Sequence, residues 1–144
     1  MAYLDTVAER IRPDFGGSST TCDLPLRVLL VEDETMVAML VEDMLEEIGC
    51  TTQYVAASVT QALDWLRHRP ALDAAVLDAN LFGAPIYPVA NMLRDRGVPF
   101  VFSTGYGEGE LHERYPGIRV LQKPYAPEAL GAALAECHDG RRAA

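Results

Sequence analysis

The chain has 144 residues, of which 49% are hydrophobic and 23% are charged, a balance typical of one soluble globular domain. Its formal net charge of -9 argues against a nucleic-acid surface, which requires a basic patch, and against binding to an anionic membrane. No apolar run reaches the roughly 20 residues of a membrane span, and the N-terminus lacks the apolar core of a signal peptide, so we expect a cytoplasmic protein.

Residues 1 to 25 differ in composition from the rest and are predicted to form an arm and a linker. Four apolar residues at helical spacing predict a short amphipathic helix there: Leu4, Val7, Ala8 and Ile11. The Gly- and Ser-rich stretch that follows is typical of a flexible linker. We therefore expect the domain proper at residues 26 to 138 and a tail at 139 to 144, with no room for a DNA-binding output domain.

A continuous apolar run, RVLLV at residues 27 to 31, predicts a strand that is buried on both faces. Three acids follow it directly: Glu32, Asp33 and Glu34. The next segment predicts a helix that ends at Gly49 and buries one apolar face, made of Val37, Leu40, Val41, Met44, Leu45 and Ile48.

The middle of the chain repeats this order of strand and helix. Residues 51 to 55 predict the second strand, and Ser58 and Gln61 have the spacing of a capping box at the start of the next helix. The third strand, at residues 74 to 77, is again apolar and ends at Asp78.

The last part of the chain contains two further predicted strands. Residues 99 to 103 predict the fourth, which Thr104 follows, and the glycine-rich segment after Thr104 predicts a short or irregular fourth helix. Residues 118 to 122 predict the fifth strand, which Lys123 follows, and the final helix is expected from about residue 127 to 137.

Strands that alternate with helices indicate an α/β fold with a parallel sheet covered on both faces. Ligands bind such sheets beyond the carboxyl ends of the strands. Those ends carry Glu32, Asp33, Asp78, Thr104 and Lys123. Three carboxylates favour Mg²⁺, or Mn²⁺, over zinc, while a lysine and a threonine suit phosphoryl oxygens. Each residue alone has an ordinary structural explanation, but their joint occurrence favours a site for phosphoryl transfer to a carboxylate.

The motifs LLVEDE, LDAN, FSTGYG and LQKPY, in this order, resemble the receiver domains of two-component response regulators over about residues 26 to 138. The segment PFVFSTGYG is most similar to receivers that read Pro-Phe-x-Phe-Ala-Thr-Gly-Tyr, with Ser103 in place of the alanine. The resemblance implies a doubly wound, five-stranded, flavodoxin-like sheet. It also implies a signalling domain that promotes only its own phosphorylation and dephosphorylation, and is not otherwise an enzyme.

The resemblance also assigns roles to residues. Asp78 would accept the phosphoryl group from a sensor histidine kinase or a histidine phosphotransfer protein. Asp33, Asp78 and the main-chain carbonyl of Asn80 would hold Mg²⁺, with Glu32 acting mostly through water. Thr104 and Lys123 would bind the phosphoryl group.

One departure from the family concerns the switch that reports phosphorylation. Many receivers have a Tyr or Phe three residues before the lysine, where this chain has Val120. Tyr106 is the candidate for part of that role, together with Thr104.

Partner docking is expected beside the acids. Met36 and Met39 fall outside the predicted apolar face of their helix and are expected to be exposed, which is typical of adaptable partner surfaces. Pro124 lies next to Lys123 and is assigned to the same surface. A second copy of the chain is a further candidate partner.

Two other functions remain open at this stage. A dehalogenase-like phosphohydrolase also uses an Asp nucleophile, a Thr or Ser, a Lys and Mg²⁺, but it requires an acid two residues after the nucleophile, where this chain has Asn80. An interaction module that is never phosphorylated is disfavoured because no member of the site is missing.

Overall fold

The computed structural model describes residues 26–81, 84–105 and 109–143, and within these ranges five strands alternate with five helices. The strands are β1 (Arg27–Val31), β2 (Thr51–Ala56), β3 (Ala74–Asp78), β4 (Phe100–Thr104) and β5 (Val120–Gln122). The helices are α1 (Thr35–Glu47), α2 (Val59–Arg67), α3 (Tyr87–Asp95), α4 (Gly109–Arg114) and α5 (Pro127–Ala143). The predicted arm at residues 1 to 25 and the switch candidate Tyr106 lie outside the described residues.

The five strands form one sheet in the order β2-β1-β3-β4-β5, and every neighbouring pair is parallel. Every residue of β3 and β4 is buried, as expected for central strands with helices on both sides. The predicted α/β fold is therefore confirmed. Because all strands run in one direction, their carboxyl ends lie along a single edge of the sheet.

Two hydrophobic cores cover the two faces of the sheet. Leu29, Leu77 and Phe102 belong to the core beneath α2, α3 and α4. Val28, Val76 and Val101 belong to the core beneath α1 and α5. Side chains along a strand point alternately to the two faces of the sheet. Residues at the strand ends that lie an even number of positions after Val28, Val76, Val101 and Leu121 therefore fall on the face that α1 and α5 cover. Those residues are Glu32, Asp78, Ser103 and Lys123.

Helix α1 corrects one sequence-based expectation. Its buried residues are Ala38, Val41 and Leu45, whereas Leu40, which we expected to be buried, is 56% exposed. Leu40 lies about a third of a turn from the centre of the buried stripe, since each helical residue advances the direction by about 100°. The helix therefore carries an apolar surface that faces away from the core.

Two boundaries also differ from the predictions. Strand β5 begins only at Val120, because the Ile118 N–H donates to the carbonyl of Tyr115 and keeps the preceding segment in a turn. Helix α5 continues to Ala143, so residues 139–143, which we expected to form a tail, extend the helix instead.

The start of α2 and the shortness of α4 agree with the local signals in the sequence. Helix α2 begins with a capped turn, because the Ser58 hydroxyl accepts from the Gln61 N–H at 3.1 Å. Helix α4 has only six residues, which fits its glycine-rich surroundings. None of the helices in the described ranges combines the length and apolar character needed to cross a membrane.

Candidate functional site

Three carboxyl groups meet at the carboxyl edge of the sheet. Glu32 and Asp33 directly follow β1, Asp78 ends the adjacent β3, and oxygen atoms of all three residues lie within 4.8 Å of one another. Glu32 and Asp78 are buried and Asp33 is half-buried. Like charges this close repel one another and favour a divalent cation, and ligands that are all oxygen suit Mg²⁺ or Mn²⁺.

Lys123 enters this group of acids from β5. Its backbone N–H donates to the carbonyl of Thr104 and extends the β4–β5 ladder by one residue. The Nζ atom then lies 3.1 Å from Glu32 Oε1 and 3.4 Å from Asp78 Oδ2. One ammonium group faces three carboxyl groups, so the site keeps surplus negative charge when all of them are ionised.

The proton affinities of Glu32 and Lys123 reflect this crowding. Burial and, after it, the neighbouring Asp78 raise the pKa of Glu32, while hydrogen bonds from Lys123 and from the Glu34 N–H lower it, and the net result is a pKa of about 7. Burial lowers the pKa of Lys123, but the hydrogen bond to Glu32 and the charges of Asp78 and Glu32 outweigh this effect and leave it raised. Lys123 is therefore cationic at neutral pH, and Glu32 is close to its midpoint.

Thr104 is joined to Asp78 through Asn80. The Thr104 hydroxyl donates to Asn80 Oδ1 at 2.8 Å, and the Gly105 N–H donates to the same oxygen at 2.9 Å. The Asn80 N–H in turn donates to Asp78 Oδ1 at 2.9 Å. Sequence reasoning assigned a role only to the main-chain carbonyl of Asn80, and no sequence signal indicated these contacts of its side chain.

Ser103 and Tyr125 add two hydroxyl groups near the acids. Ser103 is the direct register partner of Asp78 on β4, so the serine that replaces the family alanine lies beside the predicted phosphoacceptor. The Tyr125 hydroxyl is buried without a hydrogen-bond partner among the described residues. Burial raises the pKa of Tyr125, while the nearby Ser103 and Lys123 lower it.

The predicted docking residues lie on the surface near this edge. Met36 is 82% exposed and Met39 is 59% exposed, as expected, and the exposed Leu40 extends the same apolar surface. Pro124 is exposed beside Lys123. We call Met36, Met39 and Leu40 the α1 apolar surface.

Val120 occupies the position at which many receivers have the switching aromatic. It is the register partner of Phe102 and is partly buried against the core. In the same core Tyr115 packs against Phe102, with 5.3 Å between ring centroids, and its hydroxyl donates to Asn91 Oδ1 at 2.7 Å. The aromatic side chains of this region are thus fixed by packing and by a hydrogen bond.

Comparison with known proteins identifies the class. No family model matches the chain. It is 28% identical over 138 residues to the phyllosphere-induced regulator PhyR of Methylorubrum extorquens, and 32% identical over 118 residues to the response regulator Rre1 of Synechocystis. These alignments cover 92% and 75% of this chain, but the chain spans only about half the length of each relative, 52% of PhyR and 49% of Rre1.

Two solved structures match almost over their whole length. A response regulator receiver protein from Sinorhizobium medicae is 26% identical with a TM-score of 0.74, over 81% of this chain and 97% of that one. The solution structure of SdrG from Sphingomonas melonis is 38% identical with a TM-score of 0.68, over 77% of this chain and 94% of SdrG. The chain therefore belongs to the receiver-domain family of response regulators, as its motifs predicted.

Proposed function

We propose that this chain is a phosphoacceptor receiver of a two-component phosphorelay and that Asp78 accepts the phosphoryl group. The unit that carries this function is the receiver domain, which begins at residue 26 and includes α5, and residues 1 to 25 are assigned to an N-terminal arm and linker. The observation that carries the proposal is the convergence of Glu32, Asp33 and Asp78 within 4.8 Å, with the ammonium of Lys123 3.4 Å from Asp78. A carboxylate nucleophile beside acids and an ammonium group is suited to phosphoryl transfer, which depends mainly on positioning and charge neutralisation.

The residues present fit a divalent cation. Asp33, Asp78 and the main-chain carbonyl of Asn80 would hold Mg²⁺ directly, with Glu32 acting mostly through water, and Mn²⁺ would suit the same oxygen donors. The cation would neutralise negative charge on the phosphoryl oxygens. Glu32 also holds Lys123 by a 3.1 Å hydrogen bond, so the ammonium group is already positioned next to the nucleophile.

The remaining groups bind the transferred phosphoryl. Asp78 attacks the phosphorus of a phosphohistidine, the P–N bond breaks, and the new P–O bond gives an aspartyl phosphate. Lys123 supplies a positive charge for one phosphoryl oxygen and Thr104 a hydroxyl proton for another. The domain promotes its own phosphorylation and dephosphorylation and signals by conformational change and protein contacts.

The donor is a sensor histidine kinase or a histidine phosphotransfer protein. Such a donor must approach the carboxyl edge of the sheet, and the α1 apolar surface begins three residues after Asp33. Exposed methionines adapt to differently shaped partners, which supports docking of the donor there and beside Pro124.

The acceptor assignment is tested with a small phosphodonor. With acetyl phosphate and Mg²⁺ the intact mass of the protein should rise by a single phosphate, and Asp78→Asn should abolish this while leaving the fold intact, because the change is nearly isosteric. Asp95→Asn, an exposed position at the end of α3, is the matched control and should be labelled as fully as the unmodified chain. Full labelling of Asp78→Asn would place the acceptor elsewhere.

A further inference from the structure

The side chain of Asn80 holds the two residues at which β4 ends and the following loop begins. Its Oδ1 atom accepts from the Thr104 hydroxyl at 2.8 Å and from the Gly105 N–H at 2.9 Å. Both bonds are of ordinary length and join segments that are 24 and 25 residues apart in sequence. Thr104 is only 1% exposed, so its hydroxyl is held in this orientation inside the protein.

The chemistry of the partners fixes which atom of the Asn80 amide accepts. A backbone N–H can only donate, so the atom that faces Gly105 must be the amide oxygen and not the nitrogen. The Thr104 hydroxyl carries a single proton, and in this structure that proton is donated to Asn80 Oδ1. The same proton cannot be donated to a phosphoryl oxygen at the same time.

We propose that the Asn80 side chain holds Thr104 and Gly105 in the resting conformation and that a phosphoryl group on Asp78 competes with it for the Thr104 proton. We call the two bonds to Asn80 Oδ1 the Asn80 latch. This inference rests on the proposed function and adds a regulatory residue to it. Phosphorylation breaks the bond from Thr104, and the loop that begins at Gly105 then loses part of its anchor on the turn after β3.

Asn80 lies two residues after Asp78, so a change at Asp78 can affect Thr104 and Gly105 across one short turn. The Asn80 N–H donates to Asp78 Oδ1, so the residue that carries the latch is bonded directly to the phosphoacceptor. A change at Asp78 reaches the start of the β4–α4 loop through these contacts without the rotation of an aromatic side chain on β5. This suits a chain in which that β5 position is Val120, register-paired with Phe102.

A mutant cycle measured with beryllofluoride, a phosphoryl mimic, tests the latch. Asn80→Ala removes the acceptor but keeps the main-chain carbonyl and N–H. With Mg²⁺ present it should bind beryllofluoride about fivefold more tightly than the unmodified chain, the size expected for one net hydrogen bond. Thr104→Val should weaken binding, and in that background Asn80→Ala should lose at least half of its effect because the competing donor is already absent.

A second measurement checks the resting state directly. In the Mg²⁺-bound, unphosphorylated protein, amide exchange at Gly105 should become faster in Asn80→Ala, whereas in the unmodified chain it should become faster only when beryllofluoride is added. Equal tightening by Asn80→Ala in both backgrounds, or unchanged Gly105 exchange, would overturn the latch while leaving the phosphoacceptor intact. If the unmodified chain does not bind beryllofluoride at all, the proposed function fails and the latch with it.

Discussion

Glu32 connects the acidic and basic parts of the site. Its Oε1 atom accepts from Lys123, and its Oε2 atom accepts from the Glu34 N–H at 3.1 Å, so the carboxyl group is held at the start of the turn after β1. Burial nevertheless raises its pKa to about 7. Without a cation, lowering the pH through neutrality therefore protonates Glu32, and a bound cation must displace that proton.

This gives a pH dependence of Mg²⁺ binding with a definite sign. The apparent Mg²⁺ affinity should fall as pH drops from about 8 to about 6, approaching a tenfold loss per pH unit below the Glu32 midpoint if binding displaces one proton. Glu32→Gln removes the titrating group, so the loss of apparent Mg²⁺ affinity between about pH 8 and about pH 6 should become much smaller. Asp33→Ala should remove most binding at every pH. A calorimetric titration that found the same slope in Glu32→Gln would assign the proton to another group.

Tyr125 and Tyr115 allow two effects on the free energy of unfolding to be compared, that of a buried hydroxyl without a partner and that of a hydroxyl with a hydrogen bond. The Tyr125 hydroxyl has no partner in the described part of the chain, whereas the Tyr115 hydroxyl donates to Asn91 at 2.7 Å. Tyr125→Phe should therefore raise the free energy of unfolding by about 1 kcal/mol, and Tyr115→Phe should lower it by about 1 kcal/mol. Urea denaturation measures both. A loss of stability in Tyr125→Phe would mean that the hydroxyl is satisfied in solution, with Ser103 as the nearest candidate.

At the scale of single residues, the sequence predicted which groups meet but not how they are joined. Glu32, Asp33, Asp78 and Lys123 could be assigned to one cluster because each follows a buried strand of a parallel sheet. The contact between Asn80 and Thr104 depends on the path of the turn after β3. The pairing of Ser103 with Asp78 depends on strand register. Neither the path of this turn nor the strand register follows from composition or periodicity, because both are set by tertiary packing.

Among the elements, α1 shows that hydrophobic periodicity alone does not predict which apolar residues of a helix are buried. The sequence contains more apolar residues in this helix than one buried stripe can hold, and the small Ala38 occupies the core side while the larger Leu40 is exposed. A pattern based on hydrophobicity favours large side chains for the core, whereas close packing of α1 on the sheet requires a small one there. The surplus apolar residues then form the α1 apolar surface.

The connection between β4 and α4 is the element that we expect to report phosphorylation. Two hydrogen bonds connect α3 with α4 and the residue after it: the Tyr87 hydroxyl donates to Glu110 at 2.9 Å, and the Tyr115 hydroxyl donates to Asn91. On β5, the side chain of Val120 is too small and too stiff to take the place of a rotating aromatic. Hydrogen exchange with and without beryllofluoride should therefore change most over residues 104 to 117. Protection that appeared instead around Val120, with that segment unchanged, would place the switch on β5.

At the scale of the whole molecule, the chain order of the elements was sufficient to predict a parallel sheet with helices on both faces. The order β2-β1-β3-β4-β5 then places β3 between β1 and β4, so Asp78 lies between the acids that follow β1 and the threonine that ends β4. Connectivity alone did not specify this order, because it depends on which side of the sheet each crossover helix covers. Helices α1 and α5 cover one face and α2, α3 and α4 cover the other.

Because α1 and α2 cover opposite faces of the sheet, a charge placed on each helix can distinguish an effect on donor docking from an effect on phosphoryl transfer itself. Met36→Glu places a charge on the α1 apolar surface, at a side chain that is 82% exposed and therefore free of any packing role. Phosphotransfer from a radiolabelled histidine kinase that labels the unmodified chain should slow by about tenfold or more, as expected for a charge placed in the centre of an apolar interface. The rate with acetyl phosphate should stay the same, because that small donor needs no docking surface. Thr60→Glu puts the same charge on an exposed position of α2, across the sheet, and should affect neither rate. Equal slowing of both donors by Met36→Glu would indicate a disturbed acid site, and normal transfer from the kinase would mean that the donor docks elsewhere.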